Sequence, residues 1–197
     1  MRPLALRFAA ITAATSAIAV GCGPGAAAQR VRAHAVSPVG HIACSQAVHY
    51  GSLAQLRRAA TSIAMLRPTG VAAVRPVGGL PFTIATARVL KTLAGQPLLS
   101  GIQLRQMGSA KVSPGEGCAP LVSRGHIYLA YLGPFQLRPK GPRVHDQYVV
   151  VGGPQGLFEG VGEAVPADPS TRSFTRVDPS SASTIPPRVS IQELVGS

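Results

Sequence analysis

The sequence predicts a mainly β domain with one short helix at its start and a disordered C-terminal tail. Three observations support this fold class. The chain has 197 residues, 46% of them hydrophobic, which is enough to bury one core. Gly (22 residues) and Pro (18 residues) are frequent, as is typical of many turns between short strands. Several segments also alternate between apolar and polar residues, which is the period of a half-buried strand.

Residues 1–21 have the layout of an export signal. Arg2 and Arg7 form a short basic region, and an uncharged apolar run follows over residues 8–20. This run is too short to span a bilayer. We therefore expect an exported protein whose first segment is not part of the fold.

Two cleavage sites compete at the end of this segment. Ala19-Val20-Gly21-Cys22 resembles a bacterial lipobox and predicts a lipid on Cys22. This site would place the protein at the outer face of the cytoplasmic membrane. Cleavage after Ala28, at the end of a run of three alanines, is the alternative and would give a secreted protein.

The remaining two cysteines, Cys44 and Cys118, predict one disulfide bond, because an even number of cysteines in an oxidising compartment indicates pairing. The bond would close a loop of about 75 residues and contribute roughly 4 kcal/mol in the chain-entropy model. The metal alternative would use His41, Cys44 and His49, but the spacing is irregular and no second cysteine pair accompanies it. The sequence predicts no metal and no cofactor.

Residues 29–49 show neither helical nor strand periodicity, which predicts a tether over residues 22–49 before a domain spanning residues 50–162. The domain opens with a capping-box pattern at Ser52 and Gln55. Leu53 and Leu56 follow at helical spacing, so we expect a short helix that ends by Ala60 or Thr61.

Strand signals follow the helix in order. Residues 63–65 and 71–77 are β-like, and Pro68 with Gly70 predicts an edge or a bulge between them. Residues 82–90 alternate, with a turn at Gly95 and Pro97. In the next strand Ile102 and Leu104 point one way, and Gln103 and Arg105 point the other.

The last strands differ in pattern from the earlier ones. Residues 127–132 are apolar on both faces, so we expect a central strand there. Residues 148–151 and 157–161 flank Gly152-Gly153-Pro154-Gln155-Gly156, which is typical of a hairpin-like turn.

The order of these hydrophobic segments and glycines, from Ser52 to Gly156, resembles a group of uncharacterised exported bacterial lipoproteins. The resemblance covers residues 50–162 and implies a small, five- to six-stranded OB-like β-barrel. It implies no catalytic residue. Barrels of this kind commonly bind oligonucleotides or oligosaccharides on one strand face, an analogy at the level of fold only.

After Gly162 the composition shifts to Pro, Ser, Thr and Asp, and we expect a flexible tail over residues 163–187. Residues 188–197 contain a second capping-box pattern at Ser190 and Glu193. This pattern predicts a helical turn that docks back on the barrel.

Motifs of common enzymes are absent: there is no Gly-x-Ser-x-Gly, Ser-x-x-Lys, His-Glu-x-x-His or Gly-x4-Gly-Lys sequence. A catalytic pair of His145 and Asp146 with Ser109, Ser113 or Ser123 is conceivable. However, this pair lies in a loop-like segment, where a solvated histidine is the expected outcome. The sequence therefore predicts a protein that is not an enzyme.

Charge is the feature that points to binding. The formal net charge is +12, and no acidic residue precedes Glu116. The candidate polyanion-binding residues are Arg57, Arg58, Arg75, Arg88, Lys91, Arg105 and Lys111. We expect a lipid-anchored binding or structural module at the cell surface, with anionic wall polymers or lipid headgroups as partners. A cell-wall hydrolase or a protease inhibitor is the alternative.

Overall fold

The computed structural model describes residues 40–42, 48–115, 118–138, 140–160, 172–178 and 184–196. The strands are β1 (Gly40–Ile42), β2 (Ser62–Val77), β3 (Leu80–Gly95), β4 (Gly101–Met107), β5 (Val112–Pro114), β6 (Tyr128–Gln136), β7 (Arg143–Val150), β8 (Leu157–Gly160), β9 (Ser173–Arg176) and β10 (Arg188–Ser190). The helices are α1 (Leu53–Ala59) and α2 (Ile191–Gly196), and a 3-10 turn spans Gly153–Gly156.

Five of the described strands close into a ring in the order β2-β3-β4-β7-β6, with β6 paired back to β2. The β4–β7 pairing is parallel and the other four are antiparallel. This is the Greek-key order of an OB-type barrel, so the predicted small OB-like barrel is confirmed. Strands β8, β9 and β10 extend the same sheet outward from β6.

Helix α1 begins where the sequence predicts it. The Ser52 hydroxyl accepts a hydrogen bond from the Gln55 backbone N–H at 3.2 Å, and the Gln55 side chain accepts one from the Gly51 N–H at 2.7 Å. These bonds satisfy N–H groups that have no partner inside the helix. Leu56 points from the helix into the core and is fully buried.

The buried side chains form two clusters. The first fills the barrel, and side chains of β7 pack against it; its members are Ala64, Leu66, Ala85, Ala87, Ile102, Leu104, Tyr128, Ala130, Leu132 and Leu157. The second lies outside the ring and joins β2, β6, β8 and β9 to both helices; it includes Leu56, Met65, Leu129, Tyr131, Phe158, Phe174 and Leu194. Alternate residues of β6 belong to different clusters, which is why residues 127–132 are apolar on both faces. The predicted central strand is confirmed.

Strands β2 and β3 form one long hairpin of 16 residues on each side. Its pairing register shifts between Pro68 and Gly70 and again between Val71 and Ala73, as the sequence predicted for a bulged strand. The segments 63–65 and 71–77 therefore belong to a single bent strand. Gly78 and Gly79, both at positive φ, make the two-residue turn at its tip.

The prediction of a flexible tail over residues 163–187 is wrong in part. Residues Ser173–Arg176 form β9, which pairs with β8 and β10 and buries Phe174. The Arg176 side chain is also buried and donates to the Ile185 carbonyl at 2.7 Å. Flexibility was therefore the wrong prediction for residues 172–178, because one aromatic side chain with neighbours to cover it can order a short polar segment. Residues 161–171 and 179–183 lie outside the described residues.

The helical turn predicted near the C-terminus is present as α2. The Glu193 carboxylate accepts hydrogen bonds from the backbone N–H and the hydroxyl of Ser190, at 2.6 and 2.9 Å. These bonds lower the pKa of Glu193, because they stabilise its charged form. Leu194 of this helix is buried in the second cluster, so α2 docks on the barrel.

The predicted tether needs a second correction. Residues Gly40–Ile42 form β1, which pairs in parallel with β5 in a separate two-stranded sheet. The export segment and the tether residues 22–39 and 43–47 lie outside the described residues. In the part of the chain that is described, no helix has the length and hydrophobicity needed to cross a membrane.

Candidate binding groove

The outward face of β3 and β4 carries the candidate site. The alternation of each strand sends one set of side chains into the barrel and the other set outward. Gln103 and Arg105 point outward, as predicted, because Ile102 and Leu104 fill the interior. The antiparallel register places Ile84 beside Arg105 and Thr86 beside Gln103. Polar and charged groups from two strands are thereby brought together.

A groove of ≈ 440 Å³ runs over this face. Its floor is Ile84, Gln103 and Arg105. The tip of the β2–β3 hairpin forms one wall, and Leu137 with Gln147 forms the other. A second pocket of ≈ 540 Å³ also contains Gln103 and is lined by Thr69, Thr86, Ala87, Arg88, Ser100, Gly101, Ile102 and Asp146. We call the two together the barrel-face groove.

Arg105 is the most constrained cation of this groove, with 8% of the residue exposed. Its Nε atom donates a hydrogen bond to the Gln147 side-chain oxygen at 3.1 Å, and Gln147 Nε2 donates to the Gln103 oxygen at 2.9 Å. Its guanidinium carbon lies 4.3 Å from the centre of the Phe135 ring. These contacts fix the plane of the guanidinium, which is the geometry that favours recognition of carboxylate or phosphate.

Cations outnumber acids in the groove: Arg75, Arg88 and Arg105 line it, together with one carboxylate, Asp146. Burial and the nearby charge of Arg75 both lower the pKa of Arg105, although a guanidinium stays protonated. Among the described residues, no carboxylate lies within 4.0 Å of Arg75, Arg88 or Arg105. An anion in the groove would relieve the repulsion between Arg75 and Arg105.

The structure brings together three of the seven predicted polyanion-binding residues, Arg75, Arg88 and Arg105. The other four lie outside both pockets: Arg57 and Arg58 are in the last turn of α1, Lys91 is exposed on β3, and Lys111 is exposed after β4. The predicted set is therefore not one surface. Arg105, although it points outward, is buried.

Gln147 and Phe135 also belong to the site, although nothing in the sequence pattern predicted them. Gln147 reaches Gln103 through the parallel pairing of β4 with β7, which joins residues more than forty positions apart. Phe135 supports Arg105 from β6. No local pattern encodes either contact. The only usable signal was the outward alternation of Gln103 and Arg105.

The geometry does not support the triad hypothesis for His145. This side chain is almost fully exposed and contacts the carboxylate of its neighbour Asp146. Within the described ranges it makes no hydrogen bond to a serine hydroxyl, whereas the Ser109 oxygen accepts from the N–H groups of Lys111 and Val112. The other histidine–carboxylate contact, His126 with Glu159, is also at the surface.

Fold and site together define the class: a small OB-type barrel with a basic groove across its second and third ring strands. Searches against protein-family models and against curated proteins found no match to the chain. The resemblance to exported lipoproteins thus stays a prediction.

Proposed function

We propose that this protein is an exported, lipid-anchored binding module, without catalytic activity, that holds an anionic polymer in the barrel-face groove. One observation carries the proposal. Arg105 is held in a fixed orientation by Gln147 and Phe135, and no carboxylate of the described residues lies within 4.0 Å of it. A buried cation fixed in this way and lacking an acidic partner is suited to an external anion.

The shape of the groove favours a linear ligand. Its two pockets share Gln103 and continue across β3 and β4, with Arg75 in one pocket and Arg88 in the other. Cations spaced along an open channel suit repeating negative charges better than a single small anion. OB-type barrels commonly use this strand face for oligonucleotides and oligosaccharides, an analogy of fold that agrees with the groove's position. A phosphate-bearing wall polymer is the ligand class that we propose.

Neutralising Arg75 and Arg88 together should weaken binding to a polyphosphate matrix. We expect the Arg75→Gln/Arg88→Gln variant to elute at lower salt. We also expect the slope of its log affinity against log salt to become shallower by roughly 1.4, about 0.7 for each lost phosphate contact. Retention on the matrix at several salt concentrations measures both quantities.

The matched control is Arg58→Gln/Lys111→Gln, which removes the same net charge from exposed residues outside the groove. It should keep nearly the native slope. If the two double variants lose retention equally, only net charge matters, and the groove is not the binding site.

We further propose the disulfide Cys44–Cys118 and a lipid on Cys22. The parallel register of β1 with β5 aligns Ile42 with Pro114, so the chain leaves both strands at the same end, shortly before Cys44 and Cys118. Cys118 is buried, as a structural disulfide cysteine usually is. Cys22 and Cys44 lie outside the described residues.

Intact mass of the protein from a membrane fraction tests both modifications. We expect a chain that begins at Cys22, with a diacylglyceryl-type increment, and a gain of about two mass units on reduction because one disulfide takes up two hydrogens. A chain that begins at Gln29 in the medium would contradict the anchor. An unchanged mass on reduction would contradict the bond.

A further inference from the structure

The tip of the β2–β3 hairpin is unusually apolar for a surface segment. Residues 71–80, which we call the arm tip, contain a single charged residue, Arg75. Three of the six large hydrophobic side chains exposed in the described residues lie here: Val71 at 63%, Val74 at 50% and Leu80 at 41%. Soluble proteins seldom concentrate exposed aliphatic groups in this way without a partner for them.

The arm tip is apolar on both of its faces. Side chains alternate along each strand, and paired residues of an antiparallel ladder share a face. Val74 pairs with Thr83 on one face, whereas Leu80 pairs with Val77 on the other. Strand β4 accompanies β3 only as far as Pro81, whose carbonyl accepts from the Gly108 N–H at 2.8 Å. The turn therefore extends about 7 to 10 Å past the last β4 contact, at roughly 3.4 Å per residue.

Basic residues lie on one side of the arm tip. Leu137 is exposed and lines the groove opposite Arg75 and Val77, so the β6–β7 connection lies beside the arm tip. That connection and its borders carry three exposed cations, Arg138, Lys140 and Arg143. Neither the arm tip nor residues 133–145 contain an acidic residue.

We propose that the arm tip inserts into the boundary between headgroups and acyl chains of an anionic phospholipid bilayer. A protein partner would cover one face of the hairpin, whereas this boundary surrounds both faces of an inserted segment. Interfacial segments bury about 5 to 10 Å deep, comparable with the length by which the turn extends past β4. The neighbouring cations match the charge of anionic headgroups. The arm tip shares Arg75 and Val77 with one wall of the groove, but the proposal does not depend on which ligand the groove takes.

The chain has no tryptophan, so one introduced tryptophan reports on its own position without background. We would place Leu80→Trp in the full chain carrying Cys22→Ser, which removes the predicted lipid site. The emission should shift to the blue when phosphatidylglycerol vesicles are added and should stay unchanged with phosphatidylcholine vesicles. Leu99→Trp, at a site 58% exposed on the β3–β4 connection, is the control and should not shift.

A second measurement uses vesicle sedimentation. Val74→Ser/Leu80→Ser should weaken partitioning to phosphatidylglycerol vesicles at least about tenfold, from the apolar carbons removed. The matched pair Val48→Ser/Leu99→Ser, also at exposed sites, should partition like the parent chain. Absence of a blue shift at position 80, equal shifts at positions 80 and 99, a shift independent of lipid charge, or equal losses in the two serine variants would each overturn the proposal.

Discussion

Gly95→Ala is expected to destabilise the protein by about 4 kcal/mol or more, among the largest effects of a single substitution. Gly95 has φ = +81°, a conformation that is strained for alanine. A Cβ atom there would also lie 2.2 Å from the Thr61 carbonyl oxygen and 3.0 Å from Ser62 Cα, both of them backbone atoms. This is where the end of β3 meets the start of β2, and the Gln96 N–H donates to the same Thr61 oxygen at 2.9 Å. Equilibrium urea unfolding measures the change.

Substitutions at two other glycines separate the effect of backbone strain from the effect of the steric clash. Gly125 has φ = +89°, but a Cβ atom added there would have no neighbour within 4 Å, so Gly125→Ala should lose about 1 kcal/mol from backbone strain alone. Gly101 has open space and an ordinary φ, so Gly101→Ala should stay within about 0.5 kcal/mol of the parent. If Gly95→Ala lowers the free energy of unfolding no more than Gly125→Ala does, a Cβ atom at position 95 does not clash with the Thr61 carbonyl, and β2 and β3 do not approach as closely there as the structure shows.

Phe174→Ala should lower the free energy of unfolding by about 3 to 5 kcal/mol. The side chain is fully buried in the cluster outside the ring and connects β9 to residues such as Phe158 and Leu194. Its removal would leave a cavity between the barrel and the C-terminal elements. Urea unfolding again gives the value, together with a slope that reports whether the C-terminal elements unfold with the barrel.

Ser173→Ala is the control, because Ser173 is on the same strand with its side chain exposed. It should change stability by no more than about 0.5 kcal/mol. A flexible tail would instead give no effect for either substitution. Native stability in Phe174→Ala would therefore show that β9 is not part of the cooperative fold.

The candidate groove shows how far local sequence reasoning reaches. The alternation around Gln103 and Arg105 correctly predicted which side chains leave the barrel, because that alternation is a property of one strand. The same reasoning treated seven basic residues as one set. The curvature of the closed sheet and the position of α1 then separated Arg57 and Arg58 from Arg75, Arg88 and Arg105.

By itself, the sequence determined the fold class, the start of α1, the bulged second strand, the central position of β6 and the C-terminal turn. The fold class follows from composition and from the order of the segments, and the other features depend on interactions within about one turn of helix or on the two-residue period of one strand. Only the tertiary structure decided that Gln147 orients Arg105, that Phe174 orders part of the expected tail and that residues 40–42 pair with β5. These contacts join segments far apart in the chain, and a local pattern carries no information about which distant segment will cover it.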